Sequence, residues 1–160
     1  MKHKPRKRLL FVCLGNICRS PLAEGVMQHL VNQAGREEEF YIDSAGIGGW
    51  HVGQLPDPRM REMAKRYGYN LTSRARQFRS DDFNHFDGIY VMDEENYEDV
   101  LSRAPQGADI AKVQYLSQYL PKELARKEIP DPYYGGADGF RLVVELVEAA
   151  CQNLLNNWSE

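Results

Sequence analysis

Apolar residues follow two alternating rhythms along the chain. "RLLFVC" (Arg8 to Cys13) is an unbroken apolar run, the signature of a parallel strand buried on both faces. "SPLAEGVMQHLVNQAG" then sets Leu22, Val26 and Leu30 four apart, on one face of a helix. Ser20 suits the N-cap of that helix, Pro21 its first position and Gly35 its end. "EFYIDSAG" (Glu39 to Gly46) predicts a second strand, and after a glycine-rich loop "DPRMREMAKRYG" predicts a helix opened by Asp57 and Pro58. "DGIYVMD" (Asp87 to Asp93) predicts a third strand, "EENYEDVLSR" a helix, and "AKVQYLS" a fourth strand. Beyond the loop "EIPDPYYGG", Phe140, Val143, Val144, Val147, Cys151, Leu154, Leu155 and Trp158 recur three and four apart, one wide apolar stripe on a C-terminal helix.

Strands that alternate with helices predict an α/β fold, because parallel neighbours need crossovers and the helices are those crossovers. The expectation is a three-layer sandwich, a mainly parallel sheet with helices on both faces. Such sheets bind ligands beyond the carboxyl ends of their strands, near the point where strand order reverses. No internal repeat or linker divides the 160 residues, so one domain is expected over 8–160, after a flexible basic tail over 1–7.

Composition narrows the partners. A net charge of −3 argues against a dedicated nucleic-acid binder. The one basic run, "MKHKPRKR", suits contact with an acidic partner or a membrane surface, but is read as a frayed tail without assigned function. No apolar stretch approaches bilayer length, and "RLLFVCLG" lacks a small-residue cleavage pattern. Three unevenly placed cysteines, Cys13, Cys18 and Cys151, suit a reducing compartment, so the cytoplasm is expected. Cys13 and Cys18 have no second Cys/His pair near them, which leaves zinc short of ligands; no metal or cofactor is expected.

The chemistry gathers where the first strand meets the first helix. "VCLGNICRSP" (Val12 to Pro21) has the form CxxxxxR followed by Ser20, with Gly15 and Asn16 at its bend. Gly and Asn tolerate left-handed backbone, so the chain can curl with its amides inward, and a ring of inward N–H groups is an anion cradle. Leu14, Gly15, Asn16, Ile17, Cys18, Arg19 and Ser20 would line it. The helix end adds its positive dipole, and Arg19 a planar fork that holds two phosphate oxygens. The same positive field favours the thiolate of Cys13, a nucleophile toward phosphorus, and Ser20 can donate to its sulfur. The competing reading is a strand-to-helix turn with two buried cysteines, which leaves Arg19 without a purpose.

Expelling an alkoxide or phenoxide needs an acid, and hydrolysing the resulting phosphoenzyme needs a base; one carboxyl can do both. Asp131 in "IPDPYYGG" is the best candidate, stiffened by Pro130 and Pro132, while spacing alone equally fits a solvated aspartate in a Pro/Gly-rich turn. Tyr133 and Tyr134 either wall a cleft for an aromatic substrate or stack in the core, with Trp50 and His51 as the facing wall. Asp93 can orient Arg19 and cap the following helix at once. Ser44 can hold Asn16 in its strained conformation. Cys18 is either a redox guard forming a reversible disulfide with Cys13 or merely a small side chain, and Cys151 is read as core.

These residues together resemble the low-molecular-weight protein tyrosine phosphatases. "VCLGNICRSPLAE", "DSAGIGGWHVG", "RARQF", "FDGIYVMDEEN" and "IPDPYYGG" fall in the order of that family across nearly the whole chain. The resemblance implies a four-stranded parallel sheet of order 2-1-3-4 and hydrolysis of phosphotyrosine through a phosphocysteine, without metal. It implies Cys13 as nucleophile, Arg19 as phosphate clamp, Asp131 as general acid, and Asn16, Ser20 and Ser44 as a network supporting the loop. It makes Asp93 the partner of the arginine, and Tyr133 and Tyr134 cleft tyrosines that are phosphorylated in some members. Where several members carry a histidine before "ARQ", this chain has Ser73 and Arg74, so the support of Asn16 is expected to be rearranged. Substrates are expected to be phosphotyrosine-containing proteins, with a cognate tyrosine kinase as a further partner and a monomer as the working unit. Arsenate reductases and protein-arginine phosphatases resemble the same cradle; the first need further redox cysteines, and the second have threonine where this chain has Ile17. A non-catalytic phosphotyrosine-binding module would lack Cys13 or Asp131.

Overall fold

The computed structural model describes residues 6–158. Four strands, β1 (Lys7–Cys13), β2 (Phe40–Gly46), β3 (Gly88–Val91) and β4 (Val113–Tyr115), form one parallel sheet of order β2-β1-β3-β4. The helices are α1 (Arg19–Gln33), α2 (Pro58–Arg66), α3 (Asp82–His85), α4 (Glu94–Ser102) and α5 (Ala137–Asn157). The sheet order expected from the resemblance is therefore the one found. Of the basic tail expected over 1–7, residues 1–5 lie outside the described residues, and Lys7 already pairs with Phe40 in β1.

β1 is central, and Leu9, Leu10, Phe11 and Val12 are all fully buried. Because side chains alternate along a strand, Leu9, Phe11 and Cys13 face one layer and Leu10 and Val12 the other. The first layer is packed by α1, α2 and α5, through Leu22, Val26, Met60, Phe140, Val144 and Val147. The second holds Phe78, Phe83, Phe86 and Val100 around α3 and α4. The three-layer sandwich thus follows from a strand that is apolar on both faces.

The short α3 has no counterpart in the sequence reading, and two further details depart from it. The fourth strand is short, and single turns of 3₁₀ helix flank it at Ile110–Lys112 and Leu116–Tyr119. The first helix begins at Arg19 with Cys18 as its N-cap residue, so Ser20 is inside the first turn and caps nothing. Its hydroxyl is instead drawn to polar groups beneath the loop, as described next.

Candidate active site

The segment from Cys13 to Arg19 leaves the end of β1 beside β2 and enters α1. Its carbonyls are tied outward: Ile47 N–H donates to Cys13 O at 3.0 Å, Gly48 N–H to Leu14 O at 2.9 Å, and Asp57 N–H to Ile17 O at 2.8 Å. With the carbonyls turned out, the amides turn in. Among the described residues, none of the backbone N–H groups from Leu14 to Arg19 has a protein acceptor. Such a run of free donors at a helix start is what an anion needs.

Of the two bend residues, only Asn16 is left-handed, with φ of 57°. Its side chain holds it there. Asn16 Oδ1 accepts from Arg76 N–H at 3.0 Å, while Nδ2 donates to Ser20 Oγ at 2.7 Å and Ser44 Oγ at 3.0 Å. Gly15 matters for space rather than for backbone conformation, since a Cβ there would come within 3.1 Å of the His51 ring. The expected rearrangement near the "ARQ" motif is visible too. Ser73 faces the Glu24 carboxyl, Arg74 donates to Gly53 O, and the Arg76 backbone supports Asn16.

Cys13 Sγ lies 3.0 Å from Ser20 Oγ and 3.4 Å from Ser20 N, so the first turn of α1 points a hydroxyl and an amide at the sulfur. Arg19 is almost fully buried. Its Nη1 donates to Asp93 Oδ2 at 2.7 Å and to Ile129 O at 2.9 Å. Burial works against the guanidinium charge, but the sulfur of Cys13 and the hydrogen bond with Asp93 outweigh it and hold Arg19 charged. Asp93 also accepts from Asn96 N–H at 2.8 Å, so it orients the arginine and caps α4 together, as expected. Asp131 reaches the same arginine, with Oδ2 3.6 Å from Nη2, and its side chain is 39% exposed. Ile129 N–H donates to Met92 O at 2.8 Å, which pins the loop carrying Asp131 to the end of the third strand.

These groups open into one cleft of about 280 Å³. Cys13, Cys18, Arg19 and Asp131 lie at its base, and Trp50, His51, Tyr133 and Tyr134 stand around it with Leu14, Gly15 and Ile17. The tyrosines pack edge to face, 5.0 Å apart, and Tyr134 is 95% exposed; they border the cleft and do not fill the core. Asn16, Ser20 and Ser44 stay beneath the loop as supports. Cys18 is buried, and that burial, with the charge of Asp57, pushes its thiol up. Cys151 is buried in α5, and burial pushes its thiol up as well.

Three contributors escaped the sequence reading. Arg76 binds Asp43 and the buried Asp82 through its side chain while its backbone holds Asn16. Gly46 ends β2 where a Cβ would come within 2.8 Å of the Gly15 carbonyl carbon and 2.9 Å of Asn16 N. Glu24 accepts from Ser44 Oγ at 2.5 Å. Their residue types carried some signal, an acid one turn into the helix after the loop and a glycine at a strand end, but nothing in spacing linked them to the loop.

The family model of the low molecular weight phosphotyrosine protein phosphatases matches residues 8–160. A low molecular weight phosphotyrosine protein phosphatase of Schizosaccharomyces pombe is 45% identical over 152 residues, 94% of this chain and 96% of that protein. Among solved structures, a protein tyrosine phosphatase from Entamoeba histolytica with Hepes in its active site superposes with a TM-score of 0.89 at 43% identity, covering 94% of this chain and 95% of that one. A Drosophila arginine phosphatase superposes with a TM-score of 0.87 at 33% identity, covering 95% and 98%.

Proposed function

Because the chain belongs to the low molecular weight phosphotyrosine protein phosphatase family, we propose that it hydrolyses phosphotyrosine in proteins through a phosphocysteine on Cys13. The observation that carries the reading is the run of backbone amides from Leu14 to Arg19 without protein acceptors, in a loop whose Cys13 and Arg19 line one cleft. The phosphoryl group of the substrate would occupy this cradle, held by the amides and the Nε–Nη2 edge of Arg19.

Cys13 attacks phosphorus; the S–P bond forms as the P–O bond to tyrosine breaks, and Asp131 gives its proton to the departing phenolate oxygen. Water then attacks phosphorus, Asp131 takes back a proton, and the thiolate leaves with inorganic phosphate free. In both steps Ser20 donates to the sulfur when it is anionic. Asp93 and Ile129 O keep the fork of Arg19 facing the cleft, and Asn16 and Ser44 keep the loop curled. Trp50, His51, Tyr133 and Tyr134 are the walls for an aromatic ring, and the apolar Ile17 suits that ring better than a phosphoguanidinium. Cys18 is next to the nucleophile and is offered as its reversible disulfide partner. The unpaired thiols of Cys13, Cys18 and Cys151 favour a reducing, cytoplasmic setting.

The purified chain under reducing conditions is expected to hydrolyse para-nitrophenyl phosphate and phosphotyrosine peptides and to leave phosphoarginine peptides nearly untouched. Cys13→Ser should lower turnover by at least about 10³-fold. Full turnover by Cys13→Ser, or a preference for phosphoarginine, would sink the reading. Asp131→Asn should slow a poor phenolic leaving group by about 10²-fold or more but affect para-nitrophenolate far less, since only the poor leaving group needs the proton. Equal losses on both substrates would remove Asp131 from the acid role.

A further inference from the structure

We infer that Glu24 is a positioning residue for the Cys13 nucleophile, its carboxylate setting, through Ser44, Asn16 and Ser20, the direction in which hydrogen bonds are donated toward the sulfur. The inference rests on the reading of Cys13 as nucleophile. It starts from a proton count along a chain of buried groups that ends at the partly buried Glu24.

Asn16 Oδ1 is committed as acceptor to Arg76 N–H, which fixes the orientation of the amide. Both N–H bonds of Nδ2 therefore point at serines, at Ser20 Oγ and at Ser44 Oγ. Each serine receives one donor and has one proton of its own to place. The Ser44 proton goes to Glu24 Oε1, 2.5 Å away. With Cys13 as the thiolate only Ser20 can donate between the two, so the Ser20 proton goes to Cys13 Sγ at 3.0 Å and not to Ala45 O at 3.4 Å. With Glu24 charged, every proton in the chain has an acceptor and the last one is aimed at the sulfur.

Protonating Glu24 removes the charge that strengthens its bond from Ser44: the neutral carboxyl accepts the Ser44 proton only weakly, in a site where Ser44 is buried. The cost falls on the hold that Ser44 has on Asn16, and through Asn16 on Ser20. Burial pushes Glu24 up to about 6 against the hydrogen bond from Ser44; Asp43 adds to the push, and Ser73 and Arg76 oppose it. The groups facing Glu24 are Asp43 and Ser44 from β2, Ser73 and Arg76 from the segment after α2, and His29 from its own helix across a shared hollow. Tyr69 also lines that hollow, its hydroxyl donating to Glu148.

The hollow, about 330 Å³ between α1 and residues 68–73, is separate from the catalytic cleft. Glu24 thus meets solvent on one side of the loop while Cys13 meets substrate on the other.

The test follows alkylation of Cys13 by iodoacetamide, read at the Cys13 peptide by mass spectrometry, from pH 5 to pH 8, beside kcat/KM for para-nitrophenyl phosphate. Glu24→Ala should lower both rates by about tenfold, the scale of one charge-assisted hydrogen bond. Glu24→Gln keeps only a neutral acceptor for Ser44 and cannot ionise, so at every pH it should show the lower rate expected of the unmodified protein below pH 6, without the inflection expected near pH 6. Because Glu24 acts through Ser44, Glu24→Ala combined with Ser44→Ala should lose less than the two single losses multiplied together. Unchanged alkylation in Glu24→Ala, an inflection retained in Glu24→Gln, or losses that multiply in full in the double variant would each overturn the inference. Glu24→Gln keeps the test decisive if Glu24→Ala fails to fold. If the unmodified protein shows the alkylation profile yet hydrolyses no aryl phosphate, the phosphatase reading fails and the positioning role of Glu24 stands.

Discussion

At Arg19 one nitrogen, Nη1, makes both protein hydrogen bonds, to Asp93 and to Ile129 O. Nε and Nη2 lie on the same edge of the guanidinium, the edge that the proposed function gives to two oxygens of a phosphoryl group. A lysine keeps the charge but has no such edge and cannot satisfy Asp93 and Ile129 O while facing the cleft. Arg19→Lys should therefore lower kcat/KM for aryl phosphates by about 10²-fold or more, chiefly through turnover, and steady-state kinetics will check it. Glu24 makes a second prediction, on stability. Its folded value is raised, so between the ordinary carboxylate range and about 6 the native state binds more protons than the unfolded chain. As pH rises through that window the protein loses stability, by up to about 2 kcal/mol, and none of that loss should occur in Glu24→Gln. Denaturant melts of both proteins at pH 4.5 to 7 measure the difference. If Glu24 positions Cys13 as proposed, a partly buried carboxylate costs stability at the site it serves, a familiar exchange.

The junction between β2 and the loop is decided by a missing side chain. Gly46 N–H donates to Arg76 O at 2.9 Å and Gly46 O accepts from Phe78 N–H at 2.7 Å, so the end of the strand is clamped between the loop and the 76–78 segment. A Cβ at Gly46 meets backbone atoms of Gly15 and Asn16, which cannot swing aside as a flexible side chain would. Gly46→Ala is expected to cost about 1–3 kcal/mol, as overpacking does, and to reduce turnover of the folded protein as well. Thermal melts and rates normalised to folded protein check the two effects separately. The helices were legible because their signals are local: Asp57 accepts from Arg59 N–H at 2.8 Å just before Pro58, as the N-cap rule requires. Ser20 misled for a physical reason. A serine beside a proline reads as a cap, but here a buried thiol and the amide of Asn16 outbid the helix amides for its hydroxyl.

Across the whole molecule, the cradle couples ligand to fold. A phosphate ion that meets amides from Leu14 to Arg19 binds only the folded chain, so inorganic phosphate at about 100 times its dissociation constant should add roughly 2.7 kcal/mol and raise the melting temperature by about 5–10 °C. Calorimetry with and without phosphate tests this, and Arg19→Lys should shrink the shift. The sequence by itself determined the α/β class and the place of the loop and offered Cys13 and Arg19 as candidates, because burial rhythm and the CxxxxxR spacing are properties of neighbouring residues; Asp131 was a candidate through its Pro/Gly-rich loop and the resemblance. The motifs likewise sufficed for family and sheet order. Only the tertiary structure decided that Asp93 from the end of β3 and Ile129 from a distant loop meet one nitrogen of Arg19, and that Arg76, Gly46 and Glu24 support Asn16 from three different segments. Those contacts join residues far apart in the chain, and no local pattern encodes which buried polar group finds which partner; packing of the two layers against β1 does.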